Sequence, residues 1–189
     1  MSDWLRVKWS EAQQVLRQAG EEPGADDDGS AAPRAFFEAL RGQARNYEAA
    51  RFMGLALPRY ETVAWAARVV RDLRDPEDRT SPEAEALKAA LLWVADPTEQ
   101  RRRAAQAAAE KARSDSPEHL AAMAAFASGG SMAPAEYEPV PAPRELAGLL
   151  AGGAVCLAAH NAKDAKAAFA LALDSGQKAA AGGVEDESA

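Results

Sequence analysis

The sequence predicts an all-α fold: about eight helices in antiparallel pairs, forming a compact helical bundle with weak tetratricopeptide-like hairpins. Three observations carry that expectation. Of 189 residues 48 are Ala, the strongest helix former, while Ile is absent and Val plus Thr number only twelve, so residues that favour sheet are scarce. Ser81–Pro82, Asp96–Pro97 and Ser116–Pro117 each have the form of a helix cap followed by a first-turn proline. Between such breakers, apolar residues recur at the three- and four-residue spacing of a helix with one buried face.

Residues 1–20 form a first piece, in which Ser10 is placed to cap a helix ending at Gly20. It holds Trp4, Leu5, Val7, Trp9, Val15 and Leu16, too much apolar surface for a free helix, so it is expected to dock. Docking on its own body is the favoured reading, and docking on a partner through Trp4 and Trp9 is the alternative. Residues 21–32, with Glu21, Glu22, Asp26, Asp27 and Asp28 around Pro23 and two glycines, read as an acidic flexible linker. Residues 33–181 read as the helical domain and 182–189 as a disordered acidic tail.

Within the domain, Pro33 opens a helix with Phe36, Phe37 and Leu40 on one face. Asn46 opens the next, which Pro58 stops. A third carries Val63, Ala66, Ala67, Val70 and Leu73, with Trp65 and Val69 widening the stripe up to Asp75 and Pro76. A fourth starts at Pro82 and repeats Leu87, Leu91 and Val94 beside Trp93. The fifth, capped by Asp96, is Ala-rich and carries Arg101, Arg102 and Arg103, read as a solvated face. The sixth spans 118–127 and ends at Ser128, Gly129 and Gly130. Residues 131–142, blocked by Pro134, Pro139 and Pro141, read as an extended strap anchored by Met132, Tyr137 and Val140. A seventh helix runs to about His160, and its Gly148, Ala151, Gly152 and Val155 suggest close approach of a neighbour. An eighth runs from Lys163 to about Ala180. The hairpin likeness rests on the similar small–large–small spacing of residues 46–58 and 161–173.

Several function classes fall away on composition. A single cysteine, Cys156, makes no internal disulfide, and two histidines leave little for a zinc site. A net charge of −7 disfavours nucleic acid as partner. Residues 146–162 are uncharged but short and glycine-rich for a membrane span, and read as a buried helix, so no membrane insertion is expected. Residues 1–20 carry charges throughout, unlike a secretory signal, so a cytoplasmic location is expected. His119 and His160 lack a second ligand or nucleophile at a recognised spacing, and Ser128–Ser131 follows a helix with no Lys after it, unlike a phosphate loop. No metal, nucleotide or other cofactor is therefore expected, and no catalytic residue is assigned.

The most unusual constellation is Arg59, Glu61 and Trp65 at the opening of the third helix, with Trp93 and Asp96 at the close of the fourth. Arg59 and Glu61 are too near in sequence for a helix-face pair, so each is expected to answer a partner elsewhere. They form either ion pairs clamping helix ends or a partner-binding rim.

Three blocks in order carry a resemblance: residues 57–66, then 93–99 with Arg102 and Arg103, then 125–134. Over about residues 33–183 the chain resembles an uncharacterised family of helical bacterial proteins found near type VI secretion genes. The resemblance implies a non-enzymatic accessory protein, adaptor- or chaperone-like, with a secretion component or cargo as its protein partner. An enzyme or small-molecule-binding domain with its site at the Arg59, Glu61, Trp65 and Trp93 rim is the alternative, favoured by a deep polar pocket there. A shallow apolar groove favours the adaptor.

Overall fold

Helix starts follow the short polar side chains that precede them. The computed structural model describes residues 4–74, 77–78, 80–134 and 136–182, and among these it contains nine helices and no strand beyond one isolated bridge. They are α1 Ala12–Arg17, α2 Pro33–Gly42, α3 Asn46–Ala56, α4 Arg59–Leu73, α5 Pro82–Ala95, α6 Glu99–Ala109, α7 Pro117–Ala127, α8 Leu146–Asn161 and α9 Ala165–Ala181. Ser81, Ser116 and Asp164 accept hydrogen bonds from the backbone N–H groups of Ala84, His119 and Ala167, satisfying donors that the first turn leaves free. Asp96, expected to cap the fifth domain helix, instead ends α5; Thr98 caps α6 by accepting from Arg101 N–H. The stop expected for α4 at Asp75 and Pro76 lies outside the described residues, as do 183–189 of the acidic tail and residues 1–3.

Helix α8 is the central pillar, packed against α3, α4, α7 and α9. It carries no charged side chain from Leu146 to Ala159, and a helix apolar all round is a buried one. None of the described helices is long and apolar enough to cross a membrane. Its glycines set the α3–α8 distance: a Cβ on Gly148 would lie 2.5 Å from the Gly54 carbonyl oxygen, and one on Gly152 3.1 Å from the Arg51 Cα. The close approach expected from Gly148 and Gly152 is present, with α3 as the neighbour. The α2–α3 and α8–α9 pairs also pack directly.

Trp65, Val63 and Trp93 belong to one buried cluster, with Leu91 packed against its edge. Trp65 donates its indole N–H to the Ala172 carbonyl at 2.9 Å. Phe126 is buried outside that cluster, under the guanidinium of Arg102, whose central carbon lies 4.7 Å from the ring centroid. Arg102 corrects the reading of residues 101–103 as a solvated face, for it is only 3 % exposed. It donates to the carbonyls of Phe126 and Ser131 at 2.6 and 2.8 Å and takes Glu99 in two further bonds. Gly130, with φ +63°, lets the chain turn at the end of α7 so closely that a Cβ there would lie 3.0 Å from the guanidinium.

Glu99 is held at a pKa of about 2, chiefly by its hydrogen bonds from Arg102, then by Arg103. A carboxylate lowered on folding adds stability above its ordinary value of 4.5, and that stability is lost as pH falls toward about 2. The stability gap between wild type and Glu99→Gln should therefore be full near neutrality and shrink between those two pH values. Urea melts across that range check it, and a gap independent of pH would count against the pairing.

The loop after α7 does not run as a strap. Ser131 and Pro141 form the isolated bridge, and Met132 N–H donates to the Val140 carbonyl at 2.7 Å, so the two ends of the loop pair with each other. Tyr137 and Val140, expected as anchors, are exposed; the loop is held instead by its own bridge and by Arg102 and Arg103 of α6, which donate to the Ser131 and Ala133 carbonyls.

Residues 4–20 dock on the body. The Trp4 ring packs against Phe37 with centroids 5.3 Å apart, Arg6 N–H donates to the Ala180 carbonyl, and Val15 and Leu16 are buried. The helix in this piece is short, and Gln14, by bonding the backbone N–H groups of Ser10 and Glu11, marks its start in place of a Ser10 cap. Residues 21–32, expected to be a flexible linker, carry bonds a free linker would lack. Asp27 takes Arg45 in a two-bond pair at 2.6 and 3.1 Å, which lowers the Asp27 pKa, and Glu21 pairs with Arg51.

Candidate functional site

The docked N-terminal strap, residues 4–11, crosses the corner where α3 turns into α4 and the start of α8. Between them lies a cleft of about 520 Å³. The strap contributes Arg6, Lys8 and Trp9; the corner contributes Leu57, Pro58 and Arg59; Arg144 and Glu145 stand at the entry to α8. The turn at the corner is tight because Pro58 both stops α3 and caps α4 with fixed φ. Thr62 Oγ1 then donates to the Gly54 carbonyl at 3.0 Å, tying the two helices together beneath the cleft.

Charge in this cleft is one-sided. Arg6 pairs with Glu61 at 3.2 Å, but among the described residues Lys8, Arg59 and Arg144 have no carboxylate partner. Arg59 reaches the Ser128 carbonyl at 3.5 Å, a weak bond from α4 to the end of α7. Two helices, α4 and α8, begin at the wall of the cleft without a side-chain cap, so their first-turn N–H groups add to the positive potential.

Of the residues singled out in sequence, Trp9 and Arg59 meet at this cleft and Glu61 stands behind it, holding Arg6. The expected rim does not form as one surface. Trp65 is 2 % exposed and Trp93 is 6 % exposed, because each lies on the inward stripe of its helix; neither has a face to present. Trp4 covers Phe37. The Arg59 and Glu61 readings resolve as contacts to other parts of the chain, a carbonyl for one and Arg6 for the other. Lys8 and Arg144 were missed: neither belongs to a recognisable motif in sequence, and 136 positions separate them.

The remaining chemical groups are internally engaged. His119 Nδ1 lies 2.8 Å from the Ala109 carbonyl, and His160 Nδ1 lies 2.6 Å from the Tyr47 hydroxyl. Burial pushes the Cys156 thiol up to about 11, which leaves it protonated and unreactive at neutral pH.

Residues 36–180 match a family model described as a family of unknown function (DUF6931). No curated protein and no solved structure matches the chain. The matched region contains Arg59 and Arg144, whereas the strap with Arg6, Lys8 and Trp9 precedes it.

Proposed function

We propose, for a chain that belongs to the DUF6931 family, a non-enzymatic role as an adaptor- or chaperone-like protein that engages a protein partner through its N-terminal strap. The observation that supports this reading is how the strap divides its side chains. Trp4 and Val7 pack on the core, while Leu5 is 78 % exposed and Trp9 37 % exposed on a backbone fixed by the Arg6 bond to Ala180. Apolar side chains held outward on an anchored segment lose little conformational freedom on binding, and aromatic anchors carry much of an interface's energy. The resemblance to proteins found near type VI secretion genes makes a secretion component or its cargo the partner of choice.

Crosslinking in the native host, with Leu5→Ser and Trp9→Ser combined, tests the reading. The variant should melt as wild type does and lose a crosslinked partner that wild type captures. The same partner captured equally by both would defeat it. The cleft beside Arg59 has a volume of about 520 Å³ with Lys8, Arg59 and Arg144 on its walls, and that observation favours a small ligand as the second reading.

A further inference from the structure

We infer that the cleft between the strap, the α3–α4 corner and the start of α8 binds a small ligand carrying paired oxyanion groups, phosphate or carboxylate. This goes beyond the adaptor reading: the two share Trp9, but the site stands on Lys8, Arg59 and Arg144, which the adaptor reading does not use. The chain holds 29 acidic against 22 basic side chains, and an arginine, with its fork of donors, is expected to find a carboxylate. Among the described residues every arginine does, except Arg59, Arg68 and Arg144. Two of those three line this one cleft; Lys8, which like most lysines among the described residues has no carboxylate partner, adds a third positive charge. Charges of one sign gathered in a concavity repel each other and destabilise the empty fold unless something else answers them.

Opposing charge is short here. Glu145 lines the cleft and Glu61 is taken by Arg6, which leaves the cluster net positive. Arginine presents donors in a planar fork that matches phosphate or carboxylate in two bonds, so Arg59 and Arg144 can each hold one oxyanion. The volume of about 520 Å³ falls in the range that small ligands occupy. Leu57, Pro58 and the Trp9 ring supply an apolar side against which the body of such a ligand can lie. No covalent step is involved.

The test is an NMR titration of the full chain at constant ionic strength with two probes, sodium pyrophosphate and tricarballylate. The readout is the indole N–H of Trp9; that of Trp65, bonded to Ala172 inside the core, is the internal reference. Expected is a saturable shift of Trp9 with Trp65 still. Arg59→Gln and Arg144→Gln should each weaken binding by roughly tenfold or more, the loss that follows from removing a hydrogen bond between charged groups. Arg68→Gln, the third unpaired arginine but outside the cleft, should bind as wild type. Among the described residues the Arg144 side chain makes no hydrogen bond or ion pair, so its variant keeps the test decisive even if Arg59→Gln unfolds. Saturation by pyrophosphate alone identifies phosphate esters as the ligand class, and saturation by tricarballylate alone identifies carboxylates. No saturation by either probe, or an equal effect of Arg68→Gln, overturns the site.

Discussion

Arg102→Ala should destabilise the protein by roughly 3 to 5 kcal/mol, because two hydrogen bonds from a buried charged group to backbone carbonyls are lost. The side chain is buried, and its donors hold the Phe126 carbonyl at the end of α7 and the Ser131 carbonyl at the base of the closed loop. Its stem and guanidinium also cover the Phe126 ring, so truncation opens space as well as stranding the carbonyls. Glu99 is mostly exposed and keeps Arg103, so it is not orphaned, though the stability its pairing with Arg102 adds is lost as well. Arg102→Lys should recover less than half of the difference, since one ammonium cannot reach both carbonyls and Glu99 with the geometry of a fork. Urea melts of the two variants decide the matter. A loss under about 1 kcal/mol for the alanine variant would mean that water replaces the guanidinium without penalty.

Trp65→Ala is expected to be as severe, roughly 3 to 5 kcal/mol, through the cavity left by the largest fully buried side chain. It also removes the indole bond to the Ala172 carbonyl in the middle of α9. The site cannot collapse easily: Gly176 of α9 already approaches Trp65 and Met53, and the α3 backbone is fixed against α8. Met53, which meets Gly176 beside the Trp65 ring, is flexible enough to fill part of the space and favours the lower end of the range. A change below about 1 kcal/mol by urea denaturation would place the ring outside the core.

How far the sequence reveals this molecule depends on the distance over which each feature is determined. Helices α4 and α5 were legible because their stripes and proline breakers are local, α8 because its run of uncharged residues is, and Trp65 and Trp93 could be seen to lie on broad apolar faces. The same locality misled at Trp65, which reads as a rim residue only if the α9 backbone that covers it is unknown. Arg102 had a signal that the reading passed over: with Ala105 and Ala109 it shares the spacing of the buried face of α6. Arg101 and Arg103 flank it and look identical, so only that spacing tells them apart. The closed loop depends on a bridge between Ser131 and Pro141, and composition alone gives an extended strap. The cleft was invisible for the same reason in stronger form. Its cations come from the strap, the α3–α4 corner and the approach to α8, and nothing in any one of those segments announces the others.

The order of the chain sets when the core can close. Helix α8 is what α3, α4 and α7 pack upon, yet it follows all three in sequence, and about ninety residues separate the end of α3 from its start. At translation rates of about 5 to 20 residues per second, α3 waits roughly 5 to 18 s on the ribosome before the glycine face of α8 is made. During that interval Gly54 and the apolar residues around it have no mate, and the nascent helices can only pair provisionally with each other. Native packing of this domain is thus a late event in its own biosynthesis, and a chain released before α8 emerges would carry its future interior to the outside.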